Sequence, residues 1–195
     1  MKKLTLAMPQ LIPQSKLNPD YVEGWRKYAA SALKNANLTP IKMQTMPYLL
    51  YHKRKSNTAG VWFISQDGIT IDYLYAYQSV QIKGQPKASE ALAFRFAKRF
   101  VRGVTKEIFF DHMLPDLRFI VTDSMYTPDG LGWFEAEYIY AYHVGHKVYA
   151  IDMRDQASLH QITEKEFDGL QPLYWGMDDL HQQYRFAIEH KQINK

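Results

Sequence analysis

Val61-Trp62-Phe63-Ile64-Ser65-Gln66-Asp67-Gly68-Ile69-Thr70-Ile71-Asp72-Tyr73-Leu74-Tyr75-Ala76-Tyr77 is the stretch on which the fold turns. Val61 to Ser65 reads as a strand, and Asp67-Gly68 is a strong two-residue hairpin signal. Beyond it, Ile69, Ile71, Tyr73, Tyr75 and Tyr77 alternate with Thr70, Asp72, Leu74, Ala76 and Gln78, the period of a strand. Gly84 to Pro86 breaks the pattern. Leu92, Phe94 and Phe96 then alternate with Ala93, Arg95 and Ala97 as a third strand. Three such strands in sequence make an antiparallel meander.

Towards the C-terminus the pattern changes. Thr105 to Leu114 reads as a helix with Ile108, Phe109, His112 and Met113 on one side, closed by Pro115. Phe119 to Thr122 is a short apolar strand, and Thr127 to Gly130 a turn. Gly132 to Val144 is helical, with Phe134, Tyr138, Ala141 and Tyr142 on one stripe and Gly145 as its stop. Val148 to Ile151 is the next strand, so this β-α-β unit predicts a parallel pair with a right-handed crossover. Glu164 to Leu170 reads as a helix and Tyr184 to Ile188 as a last strand. On the N-terminal side, Leu4 to Met8 is a short strand. Asp20 with Glu23 is a capping box for a helix carrying Val22, Trp25, Ala29, Ala32 and Leu33, which ends near Asn35–Asn37. Tyr48 to Tyr51 is a strand and the polar run His52 to Asn57 a loop.

The fold class is therefore α/β, of the α+β type: a mixed sheet in which a meander precedes a β-α-β unit, with helices on both faces. The 195 residues suit one domain. Residues 1–58 form an N-terminal strand and helices, 59–152 the core, and 153–195 a C-terminal helix and strand. The hydrophobic share of 46% is that of a globular protein. A net charge of +4 fits a site for an anionic ligand and is too weak to support nucleic-acid binding. With no Cys, thiol catalysis, disulfides and zinc–thiolate sites are excluded. The apolar start is broken by Pro9 and Gln10, too short for a secretory leader, and no segment is long enough to span a membrane. A cytoplasmic location is the expectation.

The order of meander, helix, strand, helix and strand resembles the acyl-CoA-binding core of the GNAT N-acyltransferase superfamily. In that family a loop Arg/Gln-x-x-Gly-x-Gly/Ala opens the helix after the meander. Here the loop is Arg99-Phe100-Val101-Arg102-Gly103-Val104-Thr105. The resemblance implies that it holds the pyrophosphate of acetyl-CoA or another acyl-CoA as co-substrate. Helix N-termini favour phosphate oxygens, glycine permits close backbone approach, and Arg99 and Arg102 add charge. Phe100 stands where the family has Arg or Gln, and Thr105 replaces the second Gly or Ala. On its own, Gly103 reads equally as a plain strand-to-helix turn.

A second block, Phe119 to Ser124, Thr127 to Gly130, Trp133 and Val148 to Asp152, is similar to a GNAT variant frequent in phage and mobile-element proteins. The resemblance covers roughly residues 59 to 152 and implies N-acyl transfer to a small or macromolecular amine. It places the catalytic acid at a helical tyrosine, with Tyr138, Tyr140 and Tyr142 as the candidates and Tyr142 nearest the family's usual place, and substrate or base roles at Asp123 and Ser124. The bland alternatives are core packing for the tyrosines and turn capping for Asp123 and Ser124. The oligomeric state stays open, a dimer included.

Glu137-Tyr138-Ile139-Tyr140-Ala141 through Gly145 also resembles the helix of nucleoside 2-deoxyribosyltransferases, which implies Glu137 as nucleophile. Ile139 departs from that pattern, and the meander would have to be an insertion in a parallel sheet. A non-catalytic binding module of GNAT shape is the third reading. No metal site is expected: Gly145 ends the helix between His143 and His146, so the two diverge.

Overall fold

The computed structural model describes residues 6, 10–11, 13, 16–35, 38–44, 48–85, 87–97, 103–155, 158–167, 174 and 183–191. In chain order the elements are β1 (Gln10–Leu11), α1 (Pro19–Asn35), β2 (Ile41–Lys42), β3 (Leu49–Ser56), β4 (Ala59–Ser65), β5 (Tyr73–Ser79) and β6 (Ala88–Arg95). Then come α2 (Val104–Lys106), a π-helix (Glu107–Met113), α3 (Leu114–Leu117), β7 (Phe119–Thr122), β8 (Met125–Tyr126), α4 (Pro128–His143), β9 (Lys147–Asp152), β10 (Ser158–Gln161) and β11 (Tyr184–Glu189). Nine of the strands make a mostly antiparallel sheet, and with the helices the class is α+β as expected. The chain divides into two compact units: residues 1–16, 79–90 and 117–195, and residues 17–78 and 91–116. β6 begins in the first unit and continues in the second.

The second unit contains the meander. β2, β3, β4 and β5 pair antiparallel in sequence order. The polar run from His52 to Ser56 is strand rather than loop, because its backbone pairs with β4 from Trp62 to Ala59 while Arg54, Lys55 and Ser56 stay exposed. The Asp67-Gly68 turn is wider than two residues: the last β4–β5 pair is Ile64 with Tyr73. The Asp67 carboxylate fills the loop, accepting from the Ile69 and Thr70 N–H groups at 2.8 and 2.7 Å, while Gly68 takes φ 72°.

All five residues from Tyr73 to Tyr77 are buried, so the alternation sorts them between two covered faces and not between core and solvent. Leu74 and Ala76 join Val61, Phe63 and the α1 residues Ala29 and Ala32. On the other face Trp62 lies 6.1 Å from His112 of the π-helix, ring to ring. α1 starts earlier than the capping-box reading. Asn18 caps it by accepting from Asp20 N–H at 2.9 Å, Pro19 occupies the first helical position, and Glu23 pairs with Arg26. Pro115 does not close the second helix either. α3 follows the π-helix without a break, so Pro115 lies inside one continuous helical run, which ends at Arg118 with φ 69°.

The first unit carries the strands β7, β11, β9 and β10 side by side. β11 pairs antiparallel with both β7 and β9. The expected parallel pair is therefore not adjacent: the C-terminal strand, apolar from Phe186 to Ile188, lies between its two members and supplies each with an antiparallel ladder. α4 also begins earlier than expected. Thr127 caps it through its hydroxyl, which accepts from Gly130 N–H at 3.1 Å, and Pro128 follows. Its end is a Schellman turn at Gly145 (φ 82°), with His146 N–H bonded to Ala141 O and Gly145 N–H to Tyr142 O. At the hairpin between β5 and β6, Val80 N–H bonds Ala88 O and Ile82 bridges Gln85 antiparallel. The N-terminal strand expected over Leu4 to Met8 lies outside the described residues except for Leu6, which is buried. Residues 164–167 are helical, and the remainder of that expected helix also lies outside them.

Candidate active site

The first unit has a polar cluster inside its core, built from the end of β7 upward. Thr122 is the last residue of that strand and is fully buried. Its hydroxyl oxygen accepts from Phe186 N–H at 3.2 Å and from the Tyr126 hydroxyl. Asp123 follows, and its carboxylate accepts from Ser124 N–H at 2.6 Å. On β11 Arg185 pairs with Ile151 of β9 and lies close enough to Asp123 for its charge to act on that carboxylate.

Arg185 has no exposed surface at all. Its Nη2 donates to Glu90 Oε1 at 2.6 Å, while Nε and Nη1 have no hydrogen-bond partner among the described residues. A guanidinium costs several kcal/mol to strip of water, so two unmet donors there call for an explanation.

Electrostatics tie the cluster together. Burial, and after it repulsion from the Glu90 carboxylate, pushes the Asp123 carboxyl up to about 6, against the opposing pull of Ser124 N–H and of Arg185. Burial likewise raises the phenols of Tyr126 and Tyr138, so both stay protonated at neutral pH. Tyr138 comes from α4, packs its ring 5.4 Å from Phe186, and senses Tyr126 and Arg185. Chemically this is a carboxylate poised near neutrality beside protonated phenols and a guanidinium, an arrangement able to accept a proton and to donate one.

Of the residues singled out in the sequence, Asp123 and Ser124 meet here. Tyr142 is half-buried one turn beyond Tyr138, stacked on Phe167 with ring centroids 4.3 Å apart. Arg99, Phe100, Val101 and Arg102 lie outside the described residues. Gly103, in the other unit, takes the left-handed φ of 92° and opens α2 without a side-chain cap, while Val104 and Thr105 behind it are buried. Tyr138, one of the three helical tyrosines offered as the acid, also meets the cluster; Glu90, Thr122, Tyr126 and Arg185 went unnoticed as site residues. The one available signal was a charged residue set in the strand Tyr184-Arg185-Phe186-Ala187-Ile188.

A second polar group sits in the other unit, on the face of the meander away from α1. His52 stacks on Trp62 at 3.9 Å and its Nε2 lies 2.9 Å from the Tyr77 hydroxyl. Burial pushes the imidazole down to about 4, Arg54 pushes the same way, and Asp116 opposes. Among the described residues no three His, Asp or Glu side chains converge as metal ligands, and no helix is long and apolar enough to cross a membrane. No family model, curated protein or solved structure matches the chain.

Proposed function

We propose that this chain is an acyl-CoA-dependent N-acyltransferase in which Asp123 takes the proton from the attacking amine. The observation that carries the reading is the Asp123 carboxyl, raised to about 6 at a strand end beside Arg185 and Glu90. A base works best with a pKa near the operating pH, since it is then ionised yet still basic enough to hold the proton. In the reaction the amine nitrogen bonds to the thioester carbonyl carbon, its proton passes to Asp123, the C–S bond breaks, and the departing thiolate takes a proton from a phenol. Tyr138 and Tyr142 are the two helical candidates for that acid. Tyr138 belongs to the same buried cluster as Tyr126 and Arg185, but burial and Tyr126 raise its pKa and weaken it as an acid; Tyr142 is favoured by the resemblance. Ser124 orients the carboxylate through its N–H.

The described part of the implied cofactor loop fits an approaching phosphate: a glycine in left-handed conformation, followed by a helical turn with no side-chain cap. The mostly antiparallel sheet supports this reading over the deoxyribosyltransferase reading with Glu137 as nucleophile, which requires a parallel sheet. The test is calorimetry with acetyl-CoA and longer acyl-CoAs, then thiol release with a panel of amines. Expected are binding, amine-dependent release with an acid limb near pH 6, and its loss in Asp123→Asn. No acyl-CoA binding at millimolar concentration rejects the enzyme. Binding without turnover on any amine leaves the non-catalytic module.

A further inference from the structure

Away from that cluster, the far end of β11 gathers cations. Arg118 precedes β7, His190 and Lys191 follow β11, His146 comes from the turn between α4 and β9, and Lys147 opens β9. Arg118 is a non-glycine residue held at φ 69°, a left-handed conformation that is strained for an L residue. Two contacts tie it to His190: its carbonyl accepts from His190 N–H at 2.9 Å, and its Nη1 lies 3.2 Å from His190 Nδ1. A guanidinium only donates, so Nδ1 must accept, and His190 is the neutral tautomer with its proton on Nε2. Lys191 places Nζ 2.9 Å from the Val144 carbonyl at the end of α4, and its N–H donates to His146 Nδ1 at 3.0 Å. The two imidazoles lie 5.4 Å apart, ring to ring.

Among the described residues the charges do not balance here. The nearby carboxylate, Glu189, is engaged by the Tyr149 hydroxyl and by Lys147 at 3.8 Å. Neither Arg118 nor Lys191 forms an ion pair among the described residues. Both are exposed, and His190 is half-buried and electrostatically coupled to each. Burial together with these two cations lowers the His190 pKa, and His146 is lowered by burial and by His190 and Lys191. What remains is a set of donors carrying two positive charges that no described carboxylate pairs, with a strained backbone holding one donor against the ring.

We infer that Arg118, His190 and Lys191 form a binding site for a phosphate monoester dianion, and that binding carries a proton onto His190. Two cations match a dianion, whereas a carboxylate would leave one unmet. When the anion arrives, its charge offsets Arg118 and Lys191 and the imidazole becomes easier to protonate. The proton comes from solvent and adds to Nδ1. Nδ1 then stops accepting from Arg118, so Nη1 is released to bond the oxyanion. The groups that set this titration are Arg118, Lys191, Glu189, His146 and Lys147.

The test uses the full chain with 15N-labelled histidine, titrated with inorganic phosphate against sodium chloride at matched ionic strength. Expected are a saturable shift of the His190 ring signals, a raised His190 pKa, and proton uptake by calorimetry in two buffers. Arg118→Gly suits the left-handed φ, so it should keep or raise the melting temperature while weakening phosphate binding roughly tenfold or more. His190→Gln should keep weak binding and lose the proton uptake. Glycerol phosphate and vesicles containing phosphatidic acid, against phosphatidylcholine alone, separate a free phosphate from a lipid headgroup. Shifts no larger with phosphate than with chloride overturn the site, as does an Arg118→Gly variant that binds phosphate like the wild type.

Discussion

Phe63 and Arg185 are both wholly excluded from water, each within a strand and each in a different compact unit. Phe63 packs with Tyr51, Val61, Leu74 and Ala76 beneath α1, and burying such a ring contributes roughly 1.5–3 kcal/mol. Arg185 is equally buried on β11 but carries a charge, bonds Glu90 through one nitrogen and acts electrostatically on Asp123. Desolvating an ion costs several kcal/mol, which a single partner rarely returns in full. Equal burial thus has opposite meanings in the two units. The aromatic layer of the meander holds a fold together, whereas the Arg185 cluster gives up stability to keep charges where they can act.

The largest effect separates these two meanings. Arg185→Met should destabilise by roughly 3–5 kcal/mol, because the buried ion pair with Glu90 is broken. The double variant Arg185→Met with Glu90→Leu should recover most of that loss, and chemical denaturation of the four proteins measures it. If the double variant loses as much as the sum of the singles, the pair is not the reason for the cost.

Next is the packing of the meander. A Cβ on Gly60 would lie 2.5 Å from the Tyr77 hydroxyl and 2.8 Å from Lys53 O, so Gly60→Ala should cost about 1–3 kcal/mol. It should also shift the His52 ring signals, since Tyr77 is the partner of His52. Unchanged stability would mean that the Tyr77 ring can move aside.

The two clusters also predict opposite pH slopes. Asp123 is raised in the folded protein to about 6, so its contribution to stability is fully present below pH 4 and falls as pH rises through 6. Relative to wild type, Asp123→Asn should gain stability over that window, on the order of 2 kcal/mol. His52 is lowered to about 4, so its contribution is complete above pH 6.5 and falls as pH drops towards 4. His52→Gln should flatten that limb by about 1 kcal/mol, less because the ring is only partly buried. Melting temperatures from pH 4 to 8 decide both, and two slopes of one sign would contradict the assignment.

The smallest effect concerns a cap. Asn18→Ala should lower stability by about 1 kcal/mol, and Asp20→Ala by less, because Asn18 rather than Asp20 supplies the capping oxygen. The reverse order would restore the capping-box reading.

Several local features were legible in the residues alone. The strands around Val61, Tyr75 and Phe94, the strand from Phe119 to Thr122, the Gly145 stop and the polar pair Asp123-Ser124 at a strand end are all in place. Where the reading slipped, nearby residues offered competing signals. Pro19 moved one helix start and Pro128 another. The charged run after His52 looked like a loop because its side chains are solvated, although its backbone is paired.

Turn chemistry, caps, period-two alternation and glycine dihedrals depend on residues a few positions apart, and these the chain spells out directly. Strand adjacency and charge do not. Glu90 and Arg185 are 95 residues apart, so no pattern joins them. The insertion of β11 between β7 and β9 depends on which backbones find each other across the whole chain. The Asp123 carboxyl is an ordinary one in the sequence. Its pKa near neutrality arises from the loss of water around it and from the Glu90 carboxylate brought near by folding, and both belong to the packed core.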